Sequence, residues 1–296
     1  MLIDGHVHLF SNRFYQFWAE QAKINLHRVT ELTGAEIPQS EDSLPLCERW
    51  IAEFDKHGVD RAILISSVLG DGSMLGKLVA KHPDRISGFF FLNPTLQDAM
   101  VRVRRGLDEA KMSGACLFPA MHHYYPDDER LHPIFSLLDR AGAAAFVHMG
   151  LLKIPIQEKL GLPPTVDLKY SNPVQLHSVC NQFPAMKFII PHFGAGHFHE
   201  TLMLGSQAKN VYVDTASSNS WIGLIPGLTL EIVFERALHV FGPDRILFGT
   251  DSSSFPRGWR SDNYLRQRAA LEKIGAPKSD QDKIFGGNLA GILNLK

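Results

Sequence analysis

The strongest constraint on the fold is the alternation of short apolar segments with longer amphipathic ones along the whole chain. The apolar segments are rich in β-branched and aromatic residues, and helical patterns separate them, so each is a predicted strand followed by a helical crossover. Strands joined in this way pair in parallel, and eight of them in 296 residues predict an α/β fold, a (β/α)8 TIM barrel. The predicted strands are 2–9, 62–66, 88–92, 115–119, 143–148, 187–192, 211–214 and 245–251.

One polar insertion interrupts this alternation after the first strand. It covers residues 11–45 and contains an amphipathic, aromatic-rich segment that includes Phe14 and Trp18. We expect a helix and a loop here that cover one mouth of the barrel, with these two aromatic residues as candidate lid residues. Because no repeat or low-complexity linker divides the rest of the chain, residues 1–296 are predicted to form a single domain.

Charge and composition argue against several classes of partner. The 30 basic and 31 acidic residues give a formal net charge of −1, which favours neither nucleic acid nor an anionic membrane. No apolar run approaches the roughly 18 residues of a membrane span, and the first residues lack the basic region of a signal peptide. Three scattered cysteines suit a reducing compartment. We therefore expect a cytoplasmic protein.

Polar side chains stand at the ends of four of the predicted strands. The first strand ends on His6 and His8, whose i, i+2 spacing sends both imidazoles to one face. Alone, such a pair is more often an incidental feature of a surface strand. However, His148, His192 and Asp251 end the fifth, sixth and eighth strands, and in a barrel these ends meet at one mouth. Buried imidazoles and carboxylates must be paired or ligated, so the set predicts a divalent metal site.

Four segments that carry these residues resemble the amidohydrolase superfamily, in particular its amidohydrolase-related branch, which contains aminocarboxymuconate-semialdehyde decarboxylase and its relatives. The similar segments are 3–8, 146–150, 191–196 and 247–251, and residues 125–128 and 287–288 also resemble family features. The resemblance implies one divalent metal ion, usually zinc, held by His6, His8, His148 and Asp251. It also implies that His192 is the acid–base histidine beside the metal-bound water, and that the protein forms a homodimer.

The fourth strand departs from the pattern of the binuclear members of this superfamily. Those members carry a carboxylated lysine that bridges two metals, and Cys116 stands about where that lysine would fall. A thiol cannot carry a carbamate bridge, so a mononuclear site is predicted. Cys116 is then either a small core residue or an unusual ligand. His197 and His199 follow His192 on a predicted helix, and their spacing does not put them on one helix face; they either reach the mouth or lie in solvent.

Three imidazoles and one carboxylate leave room at the metal for a water, whose pKa zinc lowers to about 7. Asp251 is positioned to accept the proton of that water, and His192 to stabilise the developing oxyanion. The predicted function is hydrolysis of a small carboxylated, lactone or amide substrate. The same residues suit a non-oxidative decarboxylase of an aromatic or enoic acid. A barrel that binds a metal or ligand without catalysis is a further alternative.

Substrate-binding residues are predicted from their positions next to the strand ends. Arg257 and Trp259 follow Asp251, so the guanidinium is placed to bind a substrate carboxylate and the indole to form a wall of the pocket. An ion pair between Arg257 and a surface acid is the alternative. His123 and Tyr124 follow the fourth strand and are expected either to line the pocket or to lie in a solvated loop.

Overall fold

Eight parallel strands form a nearly closed barrel in the computed structural model, which describes residues 1–216 and 221–295. The strands pair in the order β1 to β8, as a chain of strand–helix units predicts. They are β1 Ile3–Leu9, β2 Arg61–Ser66, β3 Ile86–Leu92, β4 Gly114–Leu117, β5 Ala144–Val147, β6 Phe188–Ile190, β7 Val211–Asp214 and β8 Ile246–Leu247.

Helices follow the strands around the outside of the barrel. α1 to α3 lie between β1 and β2, and α4 follows β2. The bounds are α1 Asn12–Ala22, α2 Leu26–Thr33, α3 Leu44–His57, α4 Gly72–Lys81, α5 Ala99–Arg104, α6 Pro119–His122, α7 His132–Arg140, α8 Pro155–Lys159, α9 His177–Gln182, α10 Phe198–Gln207, α11 Leu230–Phe241, α12 Ser261–Lys273, α13 Lys278–Asp282 and α14 Asn288–Ile292. None of the described helices is long and apolar enough to span a bilayer.

The eighth strand is much shorter than the predicted segment 245–251. β8 has two residues, and the chain beyond it closes the barrel through separate bonds to β1. The amides of Gly5, His8 and Asp251 donate across this seam at 2.7–2.9 Å. The pairing of β1 with β2 also changes register after Asp4, so the seam at the strand ends is irregular. This irregularity places polar side chains of β1 and of the segment after β8 next to one another.

The core has two layers, as expected for a barrel whose strands are covered on both faces. Alternate side chains of the strands fill the interior, including Ile65, Phe89, Cys116 and Phe146, and Leu289 of α14 packs among them. The opposite faces pack against the helices around Trp50 and other aromatic residues. Cys116 is thus buried in the barrel interior, as the small-core-residue prediction for it requires.

The insertion after β1 consists of two helices and a connecting segment rather than a helix and a loop. Ser11 caps α1 by accepting from the amide of Phe14. Phe14 and Tyr15 pack with Val29 of α2 and with Ile156 of α8 in a separate small core. The insertion is therefore tied to the long segment after β5, and residues of both line the same cavity.

Candidate active site

The two imidazoles of β1 lie side by side at the mouth of the barrel. The Nδ1 of His6 donates to Asp214 Oδ2 at 2.7 Å, and the Nδ1 of His8 lies 3.0 Å from Ser67 Oγ, whose hydroxyl donates to a backbone carbonyl. Both rings therefore carry their proton on Nδ1 when neutral. Their Nε2 atoms are 3.2 Å apart. Two lone pairs at that distance repel each other unless a cation lies between them.

Asp251 completes this group from the segment after β8. Its Oδ1 lies 3.5 Å from Nε2 of His6 and 3.4 Å from Nε2 of His8. Gly249 permits this close approach, because a Cβ on it would lie 2.8 Å from the Cβ of His6. Two nitrogen lone pairs and a carboxylate oxygen converging on one point are the donor set of a divalent cation.

The electrostatics of these two imidazoles and their neighbouring carboxylates also favour a bound cation. Burial alone lowers the pKa of His6, but the carboxylates of Asp214 and Asp251 outweigh burial and raise this pKa to about 9. Burial lowers the pKa of His8 to about 4. One of the two rings thus binds a proton strongly beside the two carboxylates, and a metal ion can take the place of that proton.

His148 and His192 extend the group along β5 and β6. Their ring centroids are 5.1 Å apart, and the ring of His192 is 4.9 Å from that of His6. The buried Nδ1 of His148 has no hydrogen-bond partner among the described residues, although an orphaned buried nitrogen costs free energy. The pKa of His148 lies well below its usual range because of burial and, next, the charge of His192. A neutral, unsatisfied imidazole fits a metal ligand.

Some backbone conformations at these strand ends are unusual. Asp251, His192 and Phe193 have φ values of 57°, 56° and 52°, in the left-handed region that residues with a side chain rarely occupy. Such conformations persist where the surroundings impose them and concentrate at functional sites. The amide of Asp251 is held by the carbonyl of His6 at 2.9 Å.

The geometry brings one acid–base candidate into the same group as two predicted ligands. His6, His192 and Asp251 each offer one ligand atom, and these atoms lie within 4.8 Å of one another. The sequence predicted His192 as the acid–base group and His148 as a ligand. These two rings are neighbours, and both line the cavity above the site.

Two buried carboxylates of the site were not predicted from the sequence. Asp214 accepts from His6 Nδ1 and from the backbone amide of His192, just after β6, and Asp4 accepts from the amide of His6 and from Trp259. Asp214 ends the seventh predicted strand, which is the same signal that identified the other strand-end residues.

A cavity of about 1120 Å³ opens above the site. Two aromatic pairs line it: the stacked rings of Phe10 and Phe14 have centroids 3.9 Å apart, and the ring centroids of Phe91 and Phe118 are 5.4 Å apart. Arg257 is the one predicted substrate-binding residue among its lining residues. The guanidinium donates to Ser253 Oγ at 2.8 Å, and the described ion pairs give it no carboxylate partner.

The other three predicted substrate-binding residues lie outside the lining of this cavity, as far as the described residues define it. Trp259 is buried, and its indole donates to Asp4 at 2.7 Å. His123 has a φ of 56°, and its Nε2 donates to the carbonyl of Thr165. Tyr124 packs in the core between barrel and helices. Instead of these two neighbours, His122 lines the cavity.

The remaining candidates lie away from the described site. His197 pairs with Glu200 on α10 and lies 3.4 Å from Ser171 Oγ, and His199 is exposed on the same helix. Cys116 is a free thiol, and burial raises its pKa well above the usual range. Neither the two histidines nor this cysteine lines the cavity among the described residues.

A family model described as amidohydrolase matches residues 3–295, which is almost the entire chain. The chain belongs to the amidohydrolase family. This confirms the resemblance of the strand-end motifs, and it makes the protein an enzyme of this superfamily, either a hydrolase or a decarboxylase. The family is metal-dependent, and the cluster of His6, His192 and Asp251 has the geometry to hold a metal.

Similar proteins of known structure include 5-carboxyvanillate decarboxylase from Novosphingobium aromaticivorans, complexed with manganese and 4-hydroxy-3-methoxy-5-nitrobenzoic acid (16% identity, 100% of this chain and 96% of that chain, TM-score 0.70). A probable 2-pyrone-4,6-dicarboxylic acid hydrolase from Acinetobacter baumannii, with bound citric acid, is also similar (16%, 99% of each chain, TM-score 0.62). Protein fluG of Emericella nidulans is 28% identical over 122 residues, 40% of this chain but only 14% of that protein. At the identities of the two structures, the likeness shows the fold alone.

Proposed function

We propose that this amidohydrolase is a metal-dependent hydrolase that cleaves an amide or lactone bond in a small carboxylated compound. The position of Asp251 carries the proposal. Its Oδ1 lies about equally far from the Nε2 atoms of His6 and His8, at 3.5 and 3.4 Å, where it lines the cavity. A carboxylate beside two ligand nitrogens is well placed to accept the proton of an attacking water.

The ligands of one divalent ion are proposed to be His6, His8, His148 and Asp251, and the sequence resemblance implies zinc. When bound, such an ion lowers the pKa of a water to about 7 and polarises a substrate carbonyl. The manganese in the Novosphingobium decarboxylase makes that ion the second candidate. Cys116 in the barrel interior supports a single ion, because a thiol cannot form the carbamate that bridges two.

His192 is proposed to act as the acid–base residue. Its Nδ1 donates to the carbonyl of Ala216 at 2.7 Å, so the neutral ring presents a lone pair on Nε2. Burial, together with the charge of His6, lowers the pKa of His192, which favours the neutral ring, the form that can act as a base. Once protonated on Nε2, the same ring donates to an oxyanion or to the leaving group.

Charge in the cavity supports an anionic substrate. Among the described residues that line it, five are basic and two are acidic, namely Glu20 and Asp251. Among the basic residues, Arg260 is already paired with Asp262, whereas Arg257 donates to a neutral hydroxyl. We therefore assign the carboxylate of the substrate to Arg257, which can bind it in a bidentate manner.

The second candidate is non-oxidative decarboxylation of an aromatic acid, and the aromatic walls of the cavity favour it. The stacked pair of Phe10 and Phe14 and the pair of Phe91 and Phe118, which all line the cavity, suit a planar ring. In this reaction His192 would deliver a proton to the ring carbon that loses carbon dioxide.

Oxygen-18 water separates the two reactions. Metal-loaded enzyme is incubated in labelled water with a panel of aromatic acids, lactones and amides that carry a second carboxylate, and products are analysed by mass spectrometry. Hydrolysis predicts one labelled oxygen in the acid product and no carbon dioxide. Release of carbon dioxide without label in the organic product would overturn hydrolysis in favour of the second candidate.

Two variants serve as controls for this assay. Asp251→Asn removes the proton acceptor and should abolish turnover. Asp244→Asn changes an exposed carboxylate that pairs with Lys283 before β8, on the opposite side of the barrel from the site, and should react normally. A fully metal-loaded protein that binds the acids of the panel but turns over none of the panel would instead support a non-catalytic binding barrel.

A further inference from the structure

Both carboxylate oxygens of Asp214 accept hydrogen bonds from residues at the site. It ends β7 and is 1% exposed. Its Oδ2 accepts from Nδ1 of His6 at 2.7 Å, and its Oδ1 accepts from the backbone amides of His192 and Ala216, each at 2.9 Å. One side chain thus joins the ends of β1, β6 and β7.

The bond to His6 determines which nitrogen of that ring faces the site. A carboxylate can only accept, so Nδ1 of His6 must carry a proton, and the lone pair of the neutral ring is then on Nε2. This is the nitrogen that lies 3.2 Å from Nε2 of His8. Without this acceptor, the ring of His6 would be free to change tautomer or to rotate.

The bonds from Oδ1 hold His192 in its unusual conformation. His192 has a φ of 56°, which is unfavourable for a residue with a side chain, and its amide points to Asp214. The same oxygen holds the amide of Ala216, and the carbonyl of Ala216 accepts from Nδ1 of His192. The carboxylate thereby fixes both the backbone of His192 and the acceptor that orients its ring.

We infer that Asp214 is a positioning residue that sets His6 and His192 at the same time, so that metal affinity and proton transfer depend on one buried carboxylate. This inference rests on the proposed function for the roles of these two histidines. Carboxylates that hold a ligating imidazole increase metal affinity by about 10- to 100-fold. Asp214 does more than hold a ligating imidazole, because it also determines the geometry of His192, which is not one of the proposed ligands.

The test compares Asp214→Asn with Asp71→Asn. Asp71 is a matched control because its carboxylate is also buried and accepts from a side chain, the hydroxyl of Ser11, and lies 3.8 Å from the guanidinium of Arg13, but the described hydrogen bonds and ion pairs connect it to no histidine. For both variants we would measure the affinity for zinc by competition with a chelator, the visible spectrum after cobalt substitution, and thermal stability.

Asp214→Asn keeps an oxygen for the two backbone amides but offers His6 an amide group in place of an acceptor. We expect its zinc affinity to fall by about 10- to 100-fold and its cobalt spectrum to change, whereas Asp71→Asn loses stability with affinity and spectrum close to those of the wild type. Unchanged affinity and spectrum in Asp214→Asn would overturn the inference. Equal losses of affinity in both variants would also do so, since they would indicate general destabilisation.

A measurement on the unsubstituted protein covers the case in which Asp214→Asn fails to fold. In zinc-loaded protein with ¹⁵N-labelled histidine, long-range NMR correlations report which ring nitrogen carries the proton. Protonation of His6 and His192 on Nδ1 is expected, and protonation of either on Nε2 contradicts the inference. Wild-type protein that binds no zinc or manganese would instead refute the proposed function, so the two failures are distinguishable.

Discussion

Polar residues that end apolar strands are the part of the site that the sequence could predict. His8, His148, His192 and Asp251 line one cavity, and His6 adjoins them, because the carboxyl ends of barrel strands meet at one mouth. Asp214 ends a strand in the same way. It was missed because a single aspartate after an apolar run is also an ordinary strand end, and only contact with His6 distinguishes it.

Loop residues of the site could not be predicted from their neighbours in sequence. His123 follows β4 closely, but a left-handed backbone and a bond to Thr165 hold its ring outside the cavity lining. Trp259 follows Asp251, and its indole is drawn into the protein by the buried carboxylate of Asp4. The directions of these side chains depend on turn conformation and on partners distant in sequence.

The different roles proposed for His148 and His192 lead to different outcomes when each is replaced by alanine. His148→Ala should lose the bound metal, because it removes a proposed ligand. His192→Ala should keep the metal and lose activity by about 100- to 10,000-fold, the usual contribution of an acid–base group. Metal content after gel filtration and kcat of each variant check this. Metal loss in His192→Ala would mean that this residue is a ligand.

At the scale of elements, the insertion after β1 shows where pattern and structure differ. Its amphipathic segment correctly predicted α1, but α2 was taken as loop. α2 is only eight residues long and has a single buried residue, Val29, and its position depends on packing against α8. The eighth strand, in contrast, was predicted to be longer than it is. Phe248 continues the apolar run of β8 in the sequence, yet the chain from residue 248 to 252 bonds to β1 irregularly.

Phe14 should hold α1 against the cavity wall. It is buried and its ring stacks on that of Phe10, with the two ring centroids 3.9 Å apart, whereas Phe17 on the same helix is 41% exposed. Phe14→Ala should destabilise the packing of the insertion by about 3–5 kcal/mol, and Phe17→Ala by less than about 0.5 kcal/mol. Hydrogen exchange of residues 11–35 measures the difference. Equal protection in the two variants would show that α1 is held by other contacts.

At the scale of the molecule, the barrel was predictable because each strand–helix unit repeats the same pattern and parallel strands can join in few ways. The observed strand order follows the chain from β1 to β8. The seam between β8 and β1 was less predictable, since its bonds connect residues about 245 positions apart, such as Asp251 and His6.

The three cysteines report on the integrity of this barrel. All are buried and free, and burial raises the pKa of Cys47 and Cys180 to about 12 and raises the pKa of Cys116 well above its usual range. Because the thiolate is the reactive form, native protein should not react with a thiol reagent at pH 8, and all three should react in denaturant. Rapid reaction of the folded protein would mean that the core opens readily.

The metal content of the purified protein tests the mononuclear centre most directly. Elemental analysis after extensive dialysis should give one divalent ion per chain, with zinc expected, and a chelator should remove the ion and the activity together. Reconstitution with the same ion should restore activity. A protein that retains no ion, or that binds two ions per chain at the strand ends, would contradict the proposed site.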